Sequence, residues 1–372
     1  MKKQDTTVKE KRIFSPYMIT VCALTVIAVI CFICFSYSKS FADFVQAYIG
    51  GPIRFTLAKL TNLIPFSLAE LLLISSPVIL TVTIVKAIKH YSSSWKLTFY
   101  FMTRTLSIVC IIAMIFVFGF AGGYKGTTID KKLQILRKPV SADELYLTAQ
   151  YLSEKVGELC DEINFVPDSY SLMPYSFAQM TKKLNTAYDT LSDKYSFLQN
   201  FTSNPKQVVL SEPWTYTHIS GVYTFFTGES NVNINFPDYT LPYTCAHEMA
   251  HQRGISREDE ANFVAFLVCA SSDDPYIQYS GYLSLYEYVR NALYSADKEL
   301  YSMVAGGVDI RARYEMNAYS LFFDKYRENV AANVSSTINN NYLQSQGTVG
   351  TKSYGMVVDL ACAYISVLQN IN

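Results

Sequence analysis

Histidine is scarce in this sequence: four residues in 372. No histidine-rich metal tract is possible, and each histidine has to be read by its neighbours. Cysteine gives no pattern either. Cys22, Cys31, Cys34 and Cys110 lie in apolar runs, where a thiol behaves as a small hydrophobe, while Cys160, Cys245, Cys269 and Cys362 are scattered without paired spacing. Those last four offer neither a CxxC metal site nor a disulfide framework. The chain has no internal repeat and no low-complexity tract, so solenoid and linker architectures drop out. Charge is also missing, in three long stretches and in the total, which is formally zero.

The zero total hides a division. Up to Tyr124 there are 12 Lys and Arg against 4 Asp and Glu; from Lys125 onward there are 19 against 27. The acidic second part has no basic stripe, which argues against a nucleic-acid partner. In the first part, no charge occurs between Arg12 and Lys39, only Glu70 between Lys59 and Lys86, and none between Arg104 and Lys125. A helix needs about 20 apolar residues to cross the hydrocarbon of a bilayer. Three spans are therefore expected, at about 16–38, 62–86 and 105–123, making residues 1–124 a multi-pass anchor in the cell membrane and the lipid bilayer a partner. The first run is too long for a cleaved signal peptide. Lys2, Lys3, Lys9, Lys11 and Arg12 before span one place the N-terminus in the cytoplasm. Lys86, Lys89, Lys96 and Arg104 around the second loop agree. Three spans then put the remainder on the extracytoplasmic side, although Lys125, Lys131, Lys132, Arg137 and Lys138 follow span three. Glu70, after Pro65, stands near one end of its span, where a snorkelling or helix-start role competes with a functional one.

Residues 125–372 have a globular composition. "SADELYLTAQYLSEKVGELCDEI" (141–163) predicts a helix capped by Ser141 and Glu144, and 176–195 predicts another. The stretch 206–236, rich in β-branched and aromatic residues and broken by Pro213, Gly221 and Gly228, predicts short strands. Helical pattern resumes at 240. The expected fold is three transmembrane helices followed by a mainly α, α+β domain with a small β element before the motif helix.

That helix carries "TCAHEMAHQRGISREDEANF" (244–263). Residues four apart share a helix face, so His247 and His251 can address one ion. Zinc takes nitrogen, sulfur and carboxylate ligands, and a catalytic site keeps one position open. Glu248 beside that position can take the proton of a zinc-bound water, which is the HExxH arrangement of zinc peptidases. A third ligand is needed. Gly254 should end the helix in a left-handed cap. Ser256 should then cap a second helix whose first turn presents Glu258, Asp259 and Glu260. Glu258 has Asn262 at i+4 to orient a ligating carboxylate, while Glu260 lies nearer the apolar stripe of Phe263 and Leu267. Glu258 is taken as the ligand and Glu260 as its alternate; acidic residues also favour a helix start through the dipole alone.

"HEMAHQRG" followed by "EDEAN" resembles the zincin metallopeptidases. The Glu-x-x-x-Asn spacing is similar to the element of gluzincin-type enzymes in which the first glutamate is the third ligand, which carries onto Glu258 and Asn262. Gluzincins place a longer insertion before that glutamate, whereas six residues separate His251 from Glu258 here. Metzincins carry a histidine where this chain has Arg257. Three spans, this motif and a late "KSYG" resemble an uncharacterised family of bacterial membrane proteins with a zincin-like domain. The resemblance implies a zincin-like metallopeptidase domain over 125–372 and names no substrate.

Such an enzyme needs an oxyanion donor. His218 and Tyr354 are candidates, and the resemblance favours Tyr354; a structural strand role for His218 and packing for Tyr354 are the alternatives. Residues 222–234 are either a substrate-binding edge strand or a structural hairpin. Cys245 and Cys269 read as core, His90 as a loop residue, and Arg253 and Arg257 as solvated surface or a substrate-carboxylate site. The functional expectation is a membrane-anchored, Zn2+-dependent peptidase acting on a peptide or protein. The rivals are a sensor or scaffold whose zinc is structural, closed by Cys245 or His218, and a zinc hydrolase of cell-wall amides. The charges of residues 240–262 argue against a site within the bilayer.

Overall fold

The computed structural model describes residues 16–371. The five basic residues before the first span fall outside them. Helix α1 (Pro16–Phe35) leads through α2 (Lys39–Val45) and α3 (Gly51–Thr61) to α4 (Leu68–Lys86) and α5 (Trp95–Gly119). A short α6 (Ile129–Leu133) precedes α7 (Ala142–Cys160) and α8 (Phe177–Lys194). Strand β1 (Lys206–Gln207), helix α9 (Ser211–Thr215) and strands β2 (Gly221–Thr224) and β3 (Glu229–Val232) follow. The rest is helical: α10 (Thr240–Gln252), α11 (Glu258–Ala270), α12 (Pro275–Ala296), α13 (Lys298–Gly307), α14 (Ile310–Asp324), α15 (Val330–Ser345) and α16 (Val357–Ile371), with a 3-10 segment, Gly350–Met356, before α16.

Three of these helices are long and apolar enough to cross a membrane: Pro16–Phe35, Leu68–Lys89 and Trp95–Gly119, with mean hydropathies of 2.9, 2.2 and 2.2. Their apolar side chains stand on the outside of the molecule, and no residue of the second span's most apolar window is buried. That is the exposure a lipid solvent accommodates and water does not. The helix that holds the third span begins at Trp95. Lys96 and Arg104 therefore lie within α5, and the loop before it is short. The helix extends past the uncharged run because lysine and arginine resist transfer to hydrocarbon but not helix formation. His90 lies in the π-helical turn Ala87–Tyr91 that extends α4, not in a loop.

Between spans one and two, α2 and α3 pack on the domain. Arg54 of α3 is buried, and its guanidinium donates to Gly119 O (2.5 Å) and Gln46 Oε1 (2.7 Å). The start of α4 is clamped to the sheet. Glu229 Oε1 and Oε2 accept from Leu68 N and Ala69 N, each at 3.0 Å. In return Glu70 accepts from Val209 N and Leu210 N at 2.9 and 2.8 Å. Glu70 thus stands in the first turn of its helix and satisfies two backbone donors of the domain.

The capping box of Ser141 with Glu144 forms on α7 as the sequence predicts, and a second one, Ser176 with Gln179, opens α8. The sheet has the order β1-β3-β2, with β1 parallel and β2 antiparallel to β3. The core lies where α7, α8, α10, α11, α12 and α16 meet. Cys245 and Cys269 are inside it. Much of the tyrosine content is buried with its hydroxyl used: Tyr188 donates to Ala246 O (2.6 Å) and Tyr243 to Asn262 O (2.9 Å). These bonds tie α8 to α10 and α10 to α11 through buried polar contacts.

Candidate metal centre

Helix α10 is buried from Leu241 to Gln252, so its polar face looks into the protein. His247 and His251, one turn apart, have ring centroids 4.6 Å apart. The helix stops as the glycine predicts. Gly254 takes φ +94°, its N–H bonds His251 O (2.9 Å), and Ile255 N–H bonds Ala250 O (3.1 Å), the pairing of a left-handed C-terminal cap. The cap turns Ile255 O back toward the helix, 2.7 Å from His251 Nδ1. A carbonyl only accepts, so Nδ1 carries the hydrogen and Nε2 is the ligating nitrogen.

The chain re-enters a helix at Glu258. Arg257, not Ser256, is the capping residue and makes no side-chain cap. Ser256 instead donates to Phe120 O at 2.7 Å. Glu258, Asp259 and Glu260 are all buried, and they point three ways. Glu258 Oε2 is 3.2 Å from His247 Nε2 and 3.3 Å from His251 Nε2. Asp259 pairs with Arg137 at 2.8 Å. Glu260 accepts from Ile129 N at 3.1 Å, and burial first, then Asp259, raises its carboxyl to about 7. The first carboxylate therefore joins the two histidines, and the alternate one is turned away. Asn262 does not orient Glu258. Its amide donates to Tyr354 O (3.3 Å) and Tyr288 Oη (3.4 Å), on the His247 side.

His247, His251 and Glu258 each offer a ligand atom, all within 4.8 Å of one another. Metal–ligand lengths of about 2.0–2.1 Å in a tetrahedron separate neighbouring ligand atoms by about 3.3–3.4 Å. The separations of 3.2 and 3.3 Å from Glu258 to the two imidazoles match that edge. His247 Nδ1 is buried without a hydrogen-bond partner. The electrostatics agree with a cation-seeking site. Burial opposes charge on Glu258, but His251 and His247 outweigh it and hold the carboxyl down at about 2. Burial likewise opposes charge on His251, and Glu258 overrides it, raising the imidazole to about 9. A divalent ion would take the place of the proton between them. His247 is lowered by burial and by His251. Two neutral nitrogens and one carboxylate oxygen, with no fourth protein donor among the described residues, suit an ion that keeps a position open. Cys245 packs in the core beside Thr181, and His218 Nε2 bonds Tyr326 O at 2.5 Å, so neither closes the set.

Beside the ligands stands Glu248. Burial raises its carboxyl to about 8, and Oε2 has no hydrogen-bond partner. Gly221, the first residue of β2, lies against it: a Cβ there would come within 2.6 Å of Glu248 Oε1. A cavity of about 630 Å³ covers His247 and Glu248, with His218, Gly221, Tyr288 and Tyr354 also in its walls. Tyr354, in the 3-10 segment and not at the start of α16, accepts from Asn339 Nδ2 (3.3 Å), and burial keeps its hydroxyl protonated far above neutral pH. His218 holds φ +61° in the turn before β2 instead of lying in a strand. Arg253 is buried and Arg257 half-buried. Arg253 is sandwiched 3.9 Å from the Tyr188 ring centre and 4.6 Å from that of Phe201, and Arg257 pairs with Asp259 and Glu260.

Gly221 and Ile255 are the contributors that motif reading passes over. A glycine opening a β-branched stretch is itself a signal of close backbone approach; a backbone carbonyl has no sequence signal. No curated protein and no solved structure matches the chain. A family model does match, and its span takes in α4, α5, the sheet and the His–His–Glu group together. That model, described as "Protein of unknown function (DUF3810)", covers residues 48–362, and the chain belongs to this family.

Proposed function

We propose that the protein is a zinc-dependent metallopeptidase, anchored by three spans, with its zincin-like domain on the extracytoplasmic side. The observation that carries this reading is the convergence of His247, His251 and Glu258 beside a cavity lined by His247 and Glu248, with Glu248 Oε2 free of any hydrogen-bond partner. Held by His247, His251 and Glu258, zinc would supply a Lewis acid and lower the pKa of a water at neutral pH. The chain's own groups do the rest. Ile255 O fixes the His251 tautomer. Glu248 accepts a proton at its carboxylate and returns it to the leaving amine, a role that a buried carboxyl with an elevated pKa suits. Tyr354, protonated and in the cavity wall, donates to the substrate's carbonyl oxygen as charge develops there. Strand β2 has one side unpaired in the three-stranded order and offers its backbone to an extended peptide.

The test is zinc content and hydrolysis by the full chain in detergent. Wild type should hold about one zinc, and His251→Ala should lose it. Glu248→Gln should keep the metal and lose peptide hydrolysis by about 10²-fold or more. A folded chain that takes up no zinc when supplied would sink the proposal. Zinc retained with Glu248→Gln indistinguishable from wild type would make the ion structural. Turnover of wall fragments without any turnover of peptides would move the substrate to non-peptide amides.

A further inference from the structure

A second cavity, of about 730 Å³, lies beside β2 and against the first turns of α4. The register places it. Gly221 faces Glu248, and Tyr223 reaches Phe120 with ring centres 5.4 Å apart. Strand side chains alternate, so Val222 and Thr224 project to the opposite face, opposite Asn231 and Glu229. On that face Asn231 Oδ1 accepts from Ser67, the cap of α4, at 2.6 Å. The polar groups there are already used: Glu70 by Val209 and Leu210, Glu229 by Leu68 and Ala69. What remains for a ligand is apolar, chiefly Leu72, Leu73, Trp214, Val222, Phe225 and Phe226. Leu73 is 71% exposed and Val222 37%.

Both cavities share Thr217, and β2 divides them. Val222 follows Gly221 directly, so a strand laid along β2 passes from Glu248 to the apolar cavity within one residue, about 3.4 Å. One wall is the beginning of a membrane span, which puts the cavity at the boundary of the bilayer.

We infer that the free edge of β2 takes an extended substrate segment whose alternate side chains fill this second cavity. The substrate class is the apolar, membrane-proximal stretch of a membrane-anchored polypeptide. Only a peptide satisfies both halves of the site, backbone groups for the strand edge and apolar side chains for the cavity; an acyl chain offers nothing to the strand. This assignment rests on the hydrolytic reading above and names its substrate.

The experiment separates the two. The probe is a synthetic decapeptide with leucine and a photoreactive phenylalanine analogue at alternate positions, added to zinc-loaded, full-length Glu248→Gln in phosphatidylcholine vesicles. Labelling should map to residues 68–74 and 208–226. It should exceed that of a matched serine-substituted peptide by about tenfold or more, as burial of two apolar side chains predicts. It should also fall when alternate backbone amides are N-methylated. Val222→Asp should abolish it, and Leu73→Lys, at an exposed position, serves if the strand variant does not fold. Equal labelling by the polar peptide, or labelling by a photoreactive fatty acid and not by the peptide, overturns the inference. Cleavage of both peptides alike by wild type overturns it and leaves the hydrolase. Labelling of the variant without cleavage by wild type keeps the docking assignment and removes the hydrolase.

Discussion

Two imidazoles four residues apart are legible in any sequence, but their use depends on what surrounds them. His251 is held by the Ile255 carbonyl through the Gly254 turn, and its edge is packed by Phe120, with ring centres 5.9 Å apart. Glu248 is shaped by Gly221. Adding a methyl group there forces the carboxylate aside, because the nearest glutamate atoms would lie 2.6, 2.7 and 2.9 Å away. Gly221→Ala is therefore expected to leave zinc content unchanged while hydrolysis falls by about 10²-fold, as misplacement of a catalytic group by about 1 Å does. Elemental analysis beside a turnover assay checks it; loss of zinc in this variant would mean that Gly221 supports the fold and not Glu248. The choice between Glu258 and Glu260 was not legible. Both sit in one helical turn, and only the direction in which α11 leaves the Gly254 turn aims one at the histidines and the other at Ile129.

At the scale of elements, the span α4 and the sheet hold each other by exchanged carboxylates. Glu229 satisfies two orphan donors at the start of α4, and Glu70 returns the favour to Val209 and Leu210. Helix starts leave such N–H groups without intrahelical partners. Glu229→Gln keeps the shape but replaces one accepting oxygen by a donor. We expect it to destabilise the fold by about 1–3 kcal/mol, measured as the midpoint of thermal unfolding in detergent. Hydrogen exchange should quicken first at Leu68 and Ala69; an unchanged midpoint would show that the clamp contributes nothing net. The sequence showed Glu70 as an anomaly within an apolar run. It could not show Glu229 as the partner element, because the two are 159 positions apart and share no pattern. The capping box on α7, by contrast, was readable because cap and partner lie three residues apart.

For the molecule as a whole, anchor and domain are one packed body around the site. Arg54 lies against the Gly254 backbone, and Phe120 touches both Ser256 and His251. A chain beginning at residue 125 loses both supports. It should bind zinc about tenfold or more weakly than the full chain in competition with a chelator, the usual consequence of removing groups that orient a ligand; equal affinity would refute this role for the anchor. Stability should also depend on pH through buried carboxyls remote from the His–His–Glu group. Glu315, 1% exposed, is raised to about 7 by burial, its amide contact from Ser171 N (2.8 Å) only partly offsetting this. A raised carboxyl binds its proton more tightly in the folded state. Its stabilising effect is complete below about 4.5 and is lost as pH rises toward 7, by about 3 kcal/mol. Glu315→Gln should flatten that part of a denaturation-versus-pH curve, and a curve of unchanged slope would refute the assignment.

The sequence by itself determined whatever depends on neighbours along the chain: three apolar helices, the cap of α7, the short strands, the helix ending at Gly254, and the pairing of His247 with His251. These follow from helical and strand periodicity and from local hydrogen bonds, which act over a few residues. Only the tertiary structure decided which carboxylate meets the histidines, that Arg253 is buried between two rings, that α5 begins at Trp95, and that β2 separates the His–His–Glu group from an apolar cavity against the first turns of α4. Those outcomes rest on contacts between segments far apart in sequence, and a side chain's burial and direction there are set by the packing of whole elements and not by the residues beside it.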